Sequence, residues 1–268
     1  MGQPSGLQDG EVVFTVDDGP GSHSEAMAEA LAQSGASATF FVVANHFGRS
    51  ERLEPGPGDA LTLLPGGLKP LAAILDRGHA IANHTYSHPN LQTLTDARLR
   101  AEVVDAHRLM EMAVTKLGYS PSSHHHLLRF YRSPGNHWLP RLASLLNIQA
   151  LARYRGPVGW DVPAPQDEDF RCWKRCAAQG IGSSKCVNDC AYLYLSRFRQ
   201  LPRGQQRAIF LLHELHPESV KLAQRLLLEL RKESQQGTRA GNCIRVVPLR
   251  CVVGCTRTAA DLTCLHER

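Results

Sequence analysis

No apolar run in this 268-residue chain reaches the ~18–20 residues that a membrane-spanning helix needs. The richest stretch, residues 222–230, is interrupted by Gln224, Arg225 and Glu229 and reads as a helix. The start, Met1-Gly2-Gln3-Pro4, carries neither the charged nor the apolar segment of a secretory signal. Concentrated basic charge is missing too: the formal net charge is +5, with local enrichment only at 171–175 and 197–207. That balance argues against nucleic-acid reading and fits soft attraction to an acidic polymer or anionic surface. There is no internal repeat and no linker-like tract, so one domain over residues 1–268 is expected. Hydrophobic residues at 43% and charged residues at 21% suit a soluble protein with a sizeable core.

Cysteine, by contrast, is plentiful and grouped. Cys172, Cys176, Cys186 and Cys190 form one set; Cys243, Cys251, Cys255 and Cys264 form another. An even count in spaced groups predicts disulfides and an oxidising compartment. The expectation is a secreted or periplasmic protein in its mature form, its export signal removed.

Strand and helix patterns alternate along the chain. The apolar run Val12-Val13-Phe14 predicts a strand that ends in the turn Asp17-Asp18-Gly19-Pro20. A helix over 24–34 and a strand over 38–43 follow, then a Pro- and Gly-rich loop over 48–67. Helix 69–77 leads to strand 79–83, and Thr95 caps a long helix over 95–117 with apolar residues at helical spacing. Beyond it come strand 127–131, helix 138–146 and strands at 148–152 and 158–162. A helical pair over 170–199, strand 208–212, helix 218–234 and strand 243–249 complete the pattern. Such alternation predicts an α/β fold with a parallel sheet and helices packed outside it.

Polar side chains crowd the C-terminal tips of at least five of these segments: Asp17 and Asp18, His84 and His88, Arg132, Asp161, and His213. In parallel α/β barrels the site is built from those tips. Neighbouring strand residues point to opposite sides, so Asp17 and Asp18 take different tasks. His84 and His88, four residues apart, can aim both rings at one ion, and Asp18 supplies the carboxylate of a His/His/Asp set with an open position for water. A lone His-x-x-x-His is usually structural; the third ligand tips the balance toward a divalent metal, with zinc expected.

Thr-Val-Asp-Asp-Gly-Pro, Ala-Thr-Phe-Phe-Val, Asn-His-Thr-Tyr-Ser-His-Pro, Arg-Ser-Pro and Ile-Phe-Leu-Leu-His together resemble the polysaccharide deacetylases. These are the NodB-homology domains of carbohydrate esterase family four. The motifs run in the family's order over about residues 12–249. The resemblance implies a distorted (β/α) barrel and metal-dependent removal of acetyl groups from sugars. It makes Asp17 the general base, Asp18, His84 and His88 the metal ligands, and His213 the acid that protonates the leaving amine. It also makes Arg132 the partner that orients Asp17 and keeps it ionised. The metal and a backbone N–H near Gly135 would hold the oxyanion.

The chain departs from the family at several points. Val16 replaces the usual Phe. Gly135-Asn136 follows Pro134, where the family carries an aromatic residue and then glycine, which removes one wall of a groove assigned to Pro134, Gly135 and Trp160. The Asp-x-x-Asp-Trp element is altered to Trp160-Asp161-Val162 followed by Pro163. The carboxylate expected to tune His213 is Asp169, Asp167 or Asp161, and Asp169 is preferred here.

In the Cys-rich insertion over 170–199, antiparallel helices joined near Gly180 would pair Cys172 with Cys190 and Cys176 with Cys186. A four-thiolate zinc site is the rival. The second group staples a tail over 250–268, in one of three pairings. Arg171, Lys174, Arg175 and Lys185 read as a charged helix face, His124-His125-His126 as a solvated run, and Trp138 and Trp173 as core.

The function expected is an N-deacetylase of N-acetylglucosamine or N-acetylmuramic-type sugars in a polymer such as peptidoglycan. A non-catalytic glycan- or partner-binding protein and an O-acetyl (xylan) esterase are the alternatives. Retention of both Asp17 and His213 argues against a pure binder, which needs neither base nor acid.

Overall fold

The elements form largely where the periodicity places them. A computed structural model describes residues 6–54, 60–121, 126–146, 151, 154–202, 205–236, 243–253 and 264–265. In order they are β1 (Glu11–Gly19), α1 (Ser24–Gln33), β2 (Ala38–Val42), β3 (Gly48–Ser50), β4 (Leu61–Leu63), α2 (Pro65–Asp76) and β5 (Ala80–Asn83). After them come α3 (Asp96–Lys116), β6 (Leu127–Tyr131), α4 (Pro140–Leu146), α5 (Asp169–Ala178) and α6 (Ser183–Arg199). The chain closes with β7 (Ala208–His213), α7 (Pro217–Gln236) and β8 (Arg245–Val246). It divides into two compact units: Met1–Val16, Ala26–Thr39 and Trp160–Arg268 form the first, Asp17–Glu25 and Phe40–Gly159 the second.

In the first unit β1 neighbours β7 and pairs in parallel with β8, Glu11 opposite Arg245 and Val12 opposite Val246. Every residue of β7 is buried, as expected of a strand covered on both faces. The rings of Phe14 and Phe210 stack at 5.1 Å, and Phe198 of α6 lies 5.6 Å from Phe210. The Thr15 hydroxyl donates to the Phe210 carbonyl at 2.7 Å, so a polar side chain is satisfied inside this apolar layer. Disulfides Cys172–Cys190 and Cys176–Cys186 staple α5 to α6 in the expected pairing. In the second group Cys243 pairs with Cys264 and Cys251 is also disulfide-bonded; Cys255 lies outside the described residues.

In the second unit β5 runs parallel to β6 and lies beside β2. Helix α3 starts where Thr95 predicts: its hydroxyl accepts from the Arg98 N–H. Its apolar stripe, Leu99 and Val103 among others, packs with Leu91, Tyr131, Leu142 and Leu151.

Four expectations need correction. The segment 48–67 is not wholly loop: β3 and β4 pair antiparallel, Gly48 opposite Leu63, and such three-residue strands are too short for alternation to register. No strand forms over 158–162. Isolated bridges join Arg155 to Phe130 and Val162 to Phe210, while Pro157 and Pro163 cannot donate to a ladder. The strand expected over 243–249 shrinks to β8, with Pro248 beyond it. Helix α4 begins at Pro140, a residue suited to a first turn, which leaves Trp138 outside it and 38% exposed instead of in the core. The strand expected at 148–152 lies outside the described residues except for Leu151, as do His124 and His125.

On α3, the buried His107 ring places Nδ1 3.0 Å from the Tyr154 hydroxyl and Nε2 3.2 Å from both Arg129 Nη1 and Glu111 Oε1. Burial lowers its pKa, and Arg129 and Arg108 push the same way against Glu111. With the folded-state pKa below that of the unfolded chain, the stability this ring contributes is present above the unfolded value of about 6.5. It is lost as pH falls through the folded value. Between about pH 7.5 and about pH 5.5 the urea midpoint should therefore fall more in the parent protein than in His107→Asn. Equal falls would remove His107 from the account.

Candidate active site

The second unit holds the cluster of ligand-type side chains. Strand β1 is buried until its tip, where Asp18 takes a left-handed backbone conformation, φ 73°, just before Gly19-Pro20. Asp is one of the few residues that tolerate this region. His84 and His88 sit in a tight loop after β5, not on a helical turn; Thr85 (φ 74°) and His88 (φ 54°) make its bends. Asp18 Oδ1 lies 3.3 Å from His84 Nε2 and 3.2 Å from His88 Nε2, and the three donor atoms all fall within 4.8 Å of one another.

The ring chemistry suits a cation. His84 Nδ1 lies 2.8 Å from the Arg132 carbonyl, which can only accept, so Nδ1 carries a proton and Nε2 is the nitrogen that faces Asp18, the one available to a metal when the ring is neutral. Burial alone would lower the His84 pKa, yet Asp17 and Asp18 outweigh it and the pKa is raised. Two carboxylates thus stand beside this ring. Burial and the neighbouring His84 lower the pKa of His88, which favours the neutral form that binds metals. Two imidazoles and one carboxylate can hold a divalent ion and leave a coordination position open.

Asp17 is buried beside them, and its two oxygens face different partners. Oδ1 accepts from Arg132 Nη1 at 2.7 Å; Oδ2 lies 3.6 Å from His84 Nε2. Arg132 is fully buried and held from several sides. Its Nε donates to the Val158 carbonyl at 2.9 Å and Nη2 to the Gly159 carbonyl at 3.0 Å, with the guanidinium 4.2 Å from the Phe41 ring centroid. A guanidinium anchored this way fixes one Asp17 oxygen and leaves the other directed to the ligand cluster. Pro134 is buried after it, and Gly135 and Asn136 are successive left-handed residues, φ 60° and 57°.

Sequence reasoning missed the residues that hold the histidine loop. Glu102 of α3 is fully buried and accepts from the Tyr86 N–H at 3.1 Å, the Ser87 N–H at 2.9 Å and the Ser87 hydroxyl at 2.8 Å. Arg98 stands 3.3 Å from it. Asn83 accepts from the Thr85 N–H at 2.9 Å and donates to the Val103 carbonyl at 3.0 Å. The Tyr86 hydroxyl hydrogen-bonds to Glu54, and burial and that carboxylate push its pKa up to about 12. A signal for Glu102 did exist: it falls on the apolar stripe of α3, three residues after Leu99, where a carboxylate is rarely buried without partners.

The first unit contains a separate histidine–carboxylate pair. His213, at the tip of β7, has Nδ1 2.7 Å from Asp169 Oδ1, and its backbone N–H donates to Asp169 Oδ2 at 3.0 Å. Ser219 donates to the same Oδ2 at 2.7 Å and accepts from Trp173 Nε1 at 3.0 Å. Tyr194 accepts from the Asp169 N–H at 3.1 Å and donates to the Leu211 carbonyl at 2.9 Å. Asp169 is thus the carboxylate beside His213. Asp161 instead accepts from the Ile209 N–H at 2.9 Å, and Asp167 lies 3.4 Å from Arg175. Trp173 is buried as expected, and Trp160 is half-buried in this unit.

By sequence, residues 5–137 match the family model of the polysaccharide deacetylases. A probable peptidoglycan-N-acetylglucosamine deacetylase of Arthroderma benhamiae is 25% identical over 260 residues, 93% of this chain and 49% of its own length. The chain spans about half the length of the curated relatives it matches. Among solved structures, the chitin deacetylase of the fungal pathogen Colletotrichum lindemuthianum superposes with a TM-score of 0.61 at 22% identity, covering 93% of this chain and 90% of that one. A family-four pseudoenzyme from Bacillus anthracis gives 0.58 at 17% identity, covering 91% and 66%. These likenesses show a shared fold, the α/β deacetylase type that the motifs imply.

Glu102→Gln keeps the side chain's volume and replaces one acceptor oxygen with a donor facing other donors. The denaturant midpoint should fall by the equivalent of about 2 kcal/mol, the scale of hydrogen bonds to a charged group. A change under about 0.5 kcal/mol, typical of a surface substitution, would show that the clamp is dispensable.

Proposed function

This chain belongs to the polysaccharide deacetylase family, and on that premise we propose that it is a metal-dependent hydrolase of N-acetyl groups on polymeric amino sugars. The observation that carries the reading is the convergence of Asp18, His84 and His88 beside an Arg132-anchored Asp17. Asp18, His84 and His88 would hold the ion, with zinc the expected metal; once bound, it would polarise the acetamide carbonyl and acidify a water. Asp17 takes that water's proton through the oxygen that Arg132 leaves available. Arg132 keeps the carboxylate in place through the change, since all three of its nitrogens are already engaged.

His213 is assigned as the acid that protonates the leaving amine. Its pairing with Asp169 supports this: the carboxylate accepts a hydrogen bond from Nδ1–H and stabilises the imidazolium, whose Nε2–H is the transferable proton. Pro134, Gly135 and Trp160 are assigned to the sugar. The substrate class proposed is an N-acetylglucosamine polymer, peptidoglycan foremost, and the disulfides fit an exported protein. No helix among the described residues is long and apolar enough to cross a membrane.

One observation favours a second reading, a non-catalytic glycan binder. Gly135-Asn136 stands where the family's groove carries an aromatic, and a family-four pseudoenzyme has the same fold. Acetate release from N-acetylglucosamine oligomers separates the two. The metal-loaded parent should release acetate, chelation should stop it, and Asp17→Asn should lower kcat by about 10²–10⁴-fold, the usual contribution of a general base. A parent-like rate in Asp17→Asn would refute the base assignment. Absence of turnover on every N-acetylated oligomer would favour the binder.

A further inference from the structure

Beyond the residues that hold His213, the stapled α5–α6 hairpin carries a cleft of about 280 Å³. The two disulfides, Ile181 and Leu193 supply its apolar lining. Arg175 on α5 and Gln179, which caps its C-terminal end, both line the cleft; Asp189, Tyr192 and Leu193 share a face of α6. Tyr192 is 67% exposed, so its ring contributes little to the core while standing at the cleft.

The polar groups are held in place. Arg175 donates to the Gln166 carbonyl at 2.9 Å and lies 3.4 Å from Asp167, and Asp189 accepts from Lys185 at 2.6 Å. The covalent staples fix both helices, which lowers the ordering cost of any ligand bound between them. We propose that this cleft is a second glycan-binding site, formed wholly within the first unit and taking one N-acetylhexosamine of a polymer. A pyranose has an apolar C–H face and a rim of hydroxyls. Tyr192 offers the ring for the face, while Gln179, Arg175 and Asp189 offer planar donors and acceptors for the rim.

Size supports a single sugar. The volume lies just under the range of about 300–1,000 Å³ typical of small-molecule sites, and a stable protein partner would need about 1,000 Å² of complementary surface. The proposal rests on the glycan reading above. It adds a mechanism: a second contact on the same polymer raises the effective substrate concentration without new catalytic groups.

Co-sedimentation with insoluble chitin and with purified peptidoglycan tests it, alongside acetate release from short soluble oligomers. Tyr192→Ala should weaken polymer binding about tenfold, the order expected for losing one aromatic anchor. Tyr192→Trp should retain binding, and both variants should release acetate from oligomers at the parent rate. Weakening on both polymers identifies the shared N-acetylglucosamine; weakening on peptidoglycan alone identifies its muramic sugar. Parent-like sedimentation of Tyr192→Ala, no polymer binding by the parent, or oligomer turnover falling along with binding would each overturn the proposal. A parent that releases no acetate while the binding difference persists would remove the catalytic reading and leave the cleft standing.

Discussion

A single buried arginine ties Asp17 to His84. Through its side chain Arg132 holds Asp17 at 2.7 Å; through its carbonyl it holds His84 Nδ1 at 2.8 Å. Both charges lie out of water, where an unpaired partner would cost about 3–5 kcal/mol. Burial lowers the guanidinium's pKa and Asp17 opposes it, but a guanidinium remains charged at any working pH. The Val158 and Gly159 carbonyls and the Phe41 ring hold the rest of its guanidinium. The orientation of the Asp17 carboxylate and the tautomer of His84 are thus fixed by the same residue.

Around that anchor the backbone accepts unusual conformations. Asp18, Thr85, His88 and Asn136 all have positive φ, and two of the four are ligand candidates. Such positions persist only when their surroundings over-determine them. Here Glu102 and Asn83 supply that constraint, fixing the loop N–H groups from α3 and from the end of β5. The same logic holds in the first unit, where Asp169 is fully buried and receives three hydrogen bonds from His213 and Ser219. The catalytic candidates are short side chains on rigid strand ends, and the precision comes from the residues behind them.

Much of this was legible in the sequence because the signals were local. The Asp17-Asp18 turn, the His84/His88 spacing, the long helix behind Thr95 and the cysteine pairs at i, i+4 each follow from a few neighbouring residues. What escaped was non-local or too short. Glu102 looks like an ordinary helix residue until it meets the loop at 86–87. Strands β3 and β4 are three residues each, and the expected strand at 158–162 loses its ladder between two prolines. Trp138 was misplaced because helix α4 starts two residues later than its apolar pattern suggested. Choosing Asp169 over Asp161 and Asp167 required the fold, since spacing alone allowed all three.

Asp18, His84 and His88 are proposed to hold one divalent ion together. Titrating the metal-free protein with Co²⁺ and following the ligand-field absorption bands would test it without any assay of turnover. Saturation at about one ion per chain, with the bands of a nitrogen–oxygen site, is the expected result, and Asp18→Ala or His84→Ala should weaken binding by at least about a hundredfold. Saturable binding that survives both substitutions unchanged would place the ion elsewhere and contradict the account.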